Sequence, residues 1–284
     1  MDIWITRIFN GVTYGGFLFI LASGFTLSLG VLRISNIAHG AFYLVGAYTA
    51  WSVFESTNSL LLSVVAAAIV VGLLGITMHR VTLRSLHMQP LRQILSTMGV
   101  ALIIAEVTRM IWGGRPRVMT QPEWLRGAVD IFSISFPKYR LFMFAVAVAI
   151  GLFLWFLIRR TRVGALTRAS VDNAEMVRSL GVNVSRLQVG VFGVSAVLAG
   201  IAGGIGAPFI GAYQGAEFAT LLLSLVVVVL GGLGSLGGAF VAALLIGLFD
   251  SVGRALFPDL SYFTLYVPMI VALIIRPQGI GGKS

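Results

Sequence analysis

The chain has 284 residues, of which 58% are hydrophobic and only 11% charged, and its formal net charge is +10. Soluble domains carry about a quarter charged residues, so this composition reads as a polytopic membrane protein. With no cysteine, disulfides, thiolate metal sites and a cysteine nucleophile are excluded, and His39, His79 and His87 show no zinc-binding spacing.

The first sixteen residues, MDIWITRIFNGVTYGG, hold one Arg, one Asp and no small-residue cleavage site after a short apolar run. They read as the start of the first span, not as a removed signal. About nine apolar stretches follow one another at 9–30, 37–54, 60–78, 93–113, 141–158, 187–207, 218–234, 237–257 and 262–276. Each is close to the roughly 20 residues that a helix needs to cross a bilayer. The expectation is an all-α transmembrane helical bundle of about 8–9 spans, a single transmembrane domain over 1–284. The second stretch is short and carries His39, and the seventh and eighth are separated by almost nothing. Either is a candidate for a re-entrant or broken segment.

If all nine cross, one side collects twelve basic residues: Arg33, Arg80, Arg84, Arg92, six arginines in 159–188, Arg276 and Lys283. The other side collects seven, namely Arg7, Arg115, Arg117, Arg126, Lys138, Arg140 and Arg254, with Arg109 inside a span. The positive-inside rule then puts 159–186 in the cytoplasm and 114–139 outside. Topology accounts for the positive charge. No basic stripe interleaved with aromatics points to nucleic acid.

In chain order, residues 31–48 (VLRISNIAHGAFYLVGAY) come first among the candidates. Asn36 and His39 stand between two apolar stretches beside Gly40, where a helix break turns backbone groups toward a cavity. A lone His is more often a structural hydrogen-bonding group than a ligand. The short match between Gly40, Ala41, Phe42 and Gly238, Ala239, Phe240 hints at an internal repeat. Ser96 and Thr97 place hydroxyls along a pathway, or merely bond the preceding turn of their helix. Glu106 with Arg109, and Asp250 with Arg254, have the spacing of ion pairs on one helix face.

The outer loop 114–139 contains the alternation Phe132, Ser133, Ile134, Ser135, Phe136, which predicts a small ribbon. Such a ribbon serves either as a cap over the outer mouth or as a landing surface for a soluble partner. Small residues four apart, at Gly11 and Gly15 and at Ala196, Gly200 and Gly204, predict close helix packing.

The inner loop 159–188 holds a short helix over about 172–181. Asp172 is its expected N-cap, Glu175 reaches back to the free amides of the first turn, and Gly181 is the left-handed stop. At 100° per residue Ala174, Met176, Val177 and Leu180 share one arc with Asn173, opposite Glu175, Arg178 and Ser179. Two turns are too few to be stable alone in water. The apolar arc lies on the bilayer, on its own neighbours, or on another protein.

Two nucleotide-binding lookalikes fail on context. The GxGxxG of Gly232, Gly234 and Gly237 is flanked by spanning-length apolar stretches instead of a strand and helix of an α/β sheet. The final GGKS has Pro277 where the leading glycine of a phosphate loop belongs. No catalytic residue, metal site or cofactor site is expected in this chain.

Five segments, in order, carry a family resemblance: 11–51 with its SNIAHGAFYLVGAY core, STMG at 96–99, LGVNVSRL at 180–187, GGLGSLGGA at 231–239 and RPQG at 276–279. Together they resemble the branched-chain amino acid ABC transporter permeases of LivH type. The resemblance implies an inner-membrane subunit of an ATP-driven importer. Its implied partners are a second homologous permease, two ABC ATPase subunits that bind the ATP and Mg, and a periplasmic solute-binding protein. It also implies that the 172–181 helix is the coupling element, with Ala174, Met176, Val177 and Leu180 in an ATPase groove and Glu175 and Arg178 at its rim. On the residues themselves, the translocation path is expected to be lined by Asn36, His39, Gly40, Tyr43, Ser96 and Thr97. Related permeases serve urea, amides or aromatic acids. A stand-alone secondary transporter or channel finds no acidic pair at mid-membrane depth, and a membrane enzyme finds no nucleophile with a base.

Overall fold

Hydrocarbon offers no partner to a backbone amide, so an apolar stretch that crosses it must close its hydrogen bonds as a helix. A computed structural model of the chain describes residues 2–86, 89–131 and 134–260, together with 263, 264, 267, 270, 271, 274 and 278–281. Its helices are α1 (Asp2–Phe25), α2 (His39–Thr57), α3 (Leu60–Met78), α4 (Pro90–Trp112), α5 (Lys138–Arg160), α6 (Arg162–Asp172), α7 (Ala174–Ser179), α8 (Val184–Ile210), α9 (Ala216–Gly231) and α10 (Leu236–Leu256). π-helical turns prolong α1 over Thr26–Val31 and α3 over His79–Leu83.

Six helical segments among the described residues are long and apolar enough to cross a membrane: Ile3–Val31, Leu60–Leu86, Pro90–Trp112, Lys138–Arg160, Val184–Ile210 and Leu236–Leu256. The expected count of eight to nine is not confirmed among the described residues. The second stretch forms α2, which is long enough but more polar than the six. It is enclosed by α3, α8 and α9, so protein and not lipid surrounds it. The seventh forms α9, of only 16 residues. The ninth, 262–276, lies largely outside the described residues.

α1 runs through the middle of the bundle, packed on α10, α5, α8 and α9. The predicted small-residue contacts form where α1 crosses α10: Gly11 and Gly15 lie against the backbone of Gly247, Leu248, Ala243 and Leu244. Gly200 of α8 likewise lies against α3 at Ala67, while Gly46 of α2 lies against Gly200. Such approaches supply the dispersion contacts that hold helices together where lipid gives no hydrophobic drive.

The loops sort to two ends. The turn after α1 meets α4, where the Ser35 amide donates to Gln93. Arg80, Arg84, Ser185 and Arg186 line one cleft. This basic end holds ten of the twelve residues grouped by topology, Arg276 and Lys283 being outside the described residues. At the opposite end Arg117 pairs with Ala212, Trp112 donates to Ser52, and Phe9 packs on Phe136. There the alternating loop forms a hairpin of β1 (Ala128–Ile131) and β2 (Ile134–Pro137). The strands are antiparallel, with Val129 opposite Phe136 and Asp130 opposite Ser135. Phe132 and Ser133 lie outside the described residues. Phe136 is buried on the start of α1, which fixes the hairpin to the bundle.

Both expected ion pairs form. Glu106 and Arg109 are 2.6 Å apart on the exposed face of α4, and Asp250 and Arg254 are 2.9 Å apart on α10. The GxGxxG stretch is the α9 to α10 turn, with Gly232 and Gly234 at φ of 88° and 84°.

Candidate functional site

Two interruptions in the bundle come together. The first spans residues 32–38. Its entry is a left-handed non-glycine residue, Arg33 at φ 55°, which ends the π-helical turn and lets the chain double back. Asn36 then accepts the Ala38 amide on Oδ1 at 3.1 Å, an Asx turn that launches α2. Two α4 side chains one turn apart hold this backbone. Gln93 Oε1 accepts the Ser35 amide at 3.1 Å, while its Nε2 donates to the Leu86 carbonyl at 3.0 Å. Thr97 Oγ1 accepts the Ile37 amide at 3.0 Å.

The second interruption spans 211–215 and is held differently. Gly211 ends α8 at φ 88°. Arg117 and Ala212 exchange backbone hydrogen bonds of 2.8 and 2.9 Å. The Arg117 guanidinium lies 4.7 Å from the Trp51 ring centroid and donates to the Trp112 carbonyl. Glu217, buried in the first turn of α9, accepts the Gly215 amide at 2.9 Å.

The starts of α2 and α9 touch. A Cβ on Gly40 would overlap the carbonyl oxygen of Glu217 and meet Leu221, so only glycine lets the two backbones approach this closely. Each residue is the second of its helix, so two helix N-termini share one region in the protein interior. Each N-terminus carries about half a positive charge, which at α9 already faces the Glu217 carboxylate and at α2 faces no acidic residue of its own first turn.

Three polar atoms near the first helix start have no hydrogen-bond partner among the described residues. His39 Nε2 donates to the Leu21 carbonyl at 3.1 Å, which leaves Nδ1 as a buried acceptor. Asn36 Nδ2 and Tyr43 Oη are likewise unpartnered. All three residues are at most 2% exposed. An unsatisfied buried polar group costs about 1–3 kcal/mol, so these three, within eight residues, are available to bond a water or a solute.

Of the residues expected on a path, Asn36, His39, Gly40 and Tyr43 therefore cluster at the first interruption. Thr97 joins them, clamping the break and also bonding its own preceding turn at Ile94. Ser96 is half-buried and makes no side-chain hydrogen bond among the described residues. Gln93 and Glu217 were missed. Gln93 stands four residues before Thr97, on the same helix face, a signal that was available. Glu217 fell one residue outside the apolar stretch drawn from 218, and so read as loop.

At the basic end the short inner helix is α7, capped by Asn173 and not by Asp172. Asn173 Oδ1 accepts the Met176 amide at 3.0 Å. Asp172 instead closes α6, a helix with no apolar stripe in the sequence, since its buried face is Gly164, Thr167 and Ser170. Gly181 takes the left-handed conformation at φ 81°. Val177 is buried against its own chain, whereas Met176 and Leu180 are 63% and 74% exposed. Ala174 is half-buried, and Glu175 and Arg178 are exposed. A cavity of about 250 Å³ brings Arg178 of α7 to Arg84, Gln93 and Ile34. The inner helix thus stands next to the side chain that clamps the first break.

No group of three or more histidine and acidic residues is arranged to hold a metal among the described residues.

A multi-pass helical bundle with paired interior interruptions defines a membrane protein of transporter type. The model of the family described as branched-chain amino acid transport system / permease component matches residues 7–273, and the chain belongs to that family. The high-affinity branched-chain amino acid transport system permease protein LivH of Escherichia coli K12 is 27% identical, over 99% of this chain and 96% of the relative. The corresponding protein BraD of Pseudomonas aeruginosa is 26% identical over the same shares. LivM of Salmonella typhimurium is 28% identical over 92% of this chain and 67% of its own length. No solved structure matches.

Proposed function

We propose that this chain is the solute-conducting subunit of an ATP-driven importer for branched-chain amino acids, resident in the inner membrane. It has no ATPase site of its own. Two separate ATPases bind ATP and Mg and grip α7, a second homologous permease completes the path, and a periplasmic binding protein delivers the solute. The full-length similarity to LivH and BraD supports the solute class and the importer setting. The observation that carries the coupling is the cavity that Arg178 of α7 lines together with Gln93, the clamp on the first break.

In this reading the ATPases take hold of Met176 and Leu180, the exposed apolar residues of α7, with Glu175 and Arg178 at the rim. A shift of α7 acts on Arg84 and Gln93, and Gln93 carries it to the Ser35 amide. The break then moves Asn36, His39 and Tyr43 relative to α9. Meanwhile the α2 N-terminus, which has no acidic residue in its first turn, favours the carboxylate of a zwitterionic solute, Glu217 faces its ammonium group, and the unpartnered polar atoms supply further bonds during passage.

The test is leucine uptake and substrate-stimulated ATP hydrolysis by the assembled complex in vesicles. Leu180→Asp places a charge in an apolar contact. It should abolish both activities while leaving the exposed helix, and so the fold, intact. Normal coupling in this variant rejects α7 as the coupling element. Leucine accumulation in vesicles holding this chain alone, without nucleotide, rejects the importer reading itself.

A further inference from the structure

A second cleft in the basic end lies between α3 and α8, and of its lining the mechanism above uses only Arg84. Its volume is about 670 Å³. Arg80, Arg84 and Arg186 line its outer part, and Ile76, Val189 and Gly190 its inner part. None of the three arginines is in an ion pair or donates a side-chain hydrogen bond among the described residues. No Asp or Glu lines the cleft. Three guanidinium groups gathered without a carboxylate repel one another, a cost that an anion offsets. The first turn of the 27-residue α8 adds to the field, since Asn183 and Ser185 at its start also face the cleft.

The inner part decides what kind of anion fits. On α3, Ile69, Leu73, Ile76 and Arg80 are spaced four, three and four residues apart, so they form one stripe along the helix. Ile69 and Leu73 are 56% and 61% exposed, so the stripe faces outward from the bundle. A cleft whose charged mouth opens onto an exposed apolar stripe is matched to an amphiphile. An acidic protein segment or a free anion has no use for the stripe.

We propose that this cleft binds an anionic phospholipid, its phosphate held by Arg80, Arg84 and Arg186 and one acyl chain lying along Ile76, Leu73 and Ile69. The position suits the anionic inner leaflet, where basic pockets between helices select charged headgroups. Arg84 also lines the neighbouring cavity that contains Arg178 and Gln93. The bound lipid therefore lies beside the coupling route.

Native mass spectrometry of the purified full-length chain in detergent tests this with phosphatidylglycerol and phosphatidylcholine of identical acyl chains. Wild type should retain phosphatidylglycerol several-fold better. The variant Arg80→Gln/Arg84→Gln/Arg186→Gln should reduce the ratio to near one, while Arg7→Gln/Arg115→Gln/Arg126→Gln at the opposite end should leave it unchanged. Gly190→Phe gives a reading that does not depend on the arginines. A Cβ at Gly190 meets nothing within 4 Å, so the ring fills the apolar part and should lower lipid retention without unfolding the chain. Equal retention of both lipids by wild type, or an undiminished ratio in the triple variant, overturns the proposal. Displacement of the lipid by glycerol phosphate at equal concentration overturns it in favour of a free-anion site. Loss of ATPase co-purification in the triple variant with the lipid ratio intact overturns it in favour of a protein contact.

Discussion

The two interruptions at the heart of the bundle do the same geometric job with different bonds. Residues 32–38 are held mainly by side chains, namely Gln93, Thr97 and Asn36. Residues 211–215 are held by backbone pairing with Arg117 and by the turn at Glu217. Backbone pairing persists through most substitutions, whereas a side-chain clamp is as strong as the residue that makes it. The first interruption is thus the more exposed to single side-chain substitutions, and its Gln93 clamp lines a cavity together with Arg178 of α7.

The largest expected effect comes where the two interruptions touch. Gly40→Val drives a branched side chain into the Glu217 carbonyl, and neither backbone can yield without moving a helix start. The cost should be about 3 kcal/mol or more, read as a loss of thermal stability in detergent and absence of transport in vesicles. A stable, active Gly40→Val protein would mean that the two helix starts do not meet as described.

Next in size is the clamp. Gln93→Leu removes bonds to Ser35 and Leu86, and Thr97→Val removes the bond to Ile37 at nearly constant volume. Each leaves a backbone amide without its partner, at a cost of about 1–2 kcal/mol. Amide hydrogen exchange at Ser35 and Ile37 should quicken in both variants while exchange at Ala212 stays slow. Arg117→Ala should do less to its own interruption, because the reciprocal bonds with Ala212 are backbone bonds and survive. It loses the contact over Trp51 and the bond to the Trp112 carbonyl, about 1 kcal/mol, and Ala212 exchange should change little. If Arg117→Ala frees 211–215 as much as Thr97→Val frees 32–38, the distinction between the two is wrong.

Much of this was legible in the sequence, for identifiable reasons. Asn36, His39 and Gly40 announced a break because polar residues and glycine rarely interrupt an apolar run without one. The i,i+4 pair Asp250 and Arg254 followed from helix periodicity alone. What could not be read was which helices are wrapped by protein. α2 is not among the six long apolar helices yet is buried, because α3, α8 and α9 enclose it, and hydropathy reports only the solvent a helix would prefer. Nor could the partner of Gly40 be read, since the contact joins residues 177 positions apart. α6 escaped notice because Gly164, Thr167 and Ser170 make a small, polar buried face instead of an apolar one.

The smallest expected effect lies in α7 and separates local order from coupling. Asn173→Ala removes the oxygen that accepts the Met176 amide, which costs a helix about 1 kcal/mol. That is a large fraction of what six residues can muster, so the turn should fray while the bundle, whose core lies elsewhere, keeps its melting temperature. Fraying lowers the share of molecules that present Met176 and Leu180 on one rigid turn. In the assembled complex the maximal hydrolysis rate should hold while the concentration of ATPase needed to reach half of it rises a few-fold. Asn173→Asp keeps a capping oxygen and should restore the wild-type value. A melting temperature lowered by Asn173→Ala would instead show that α7 supports the fold, and the distinction between a side-chain-held inner interruption and a backbone-held outer one would then have to include the helix beside it.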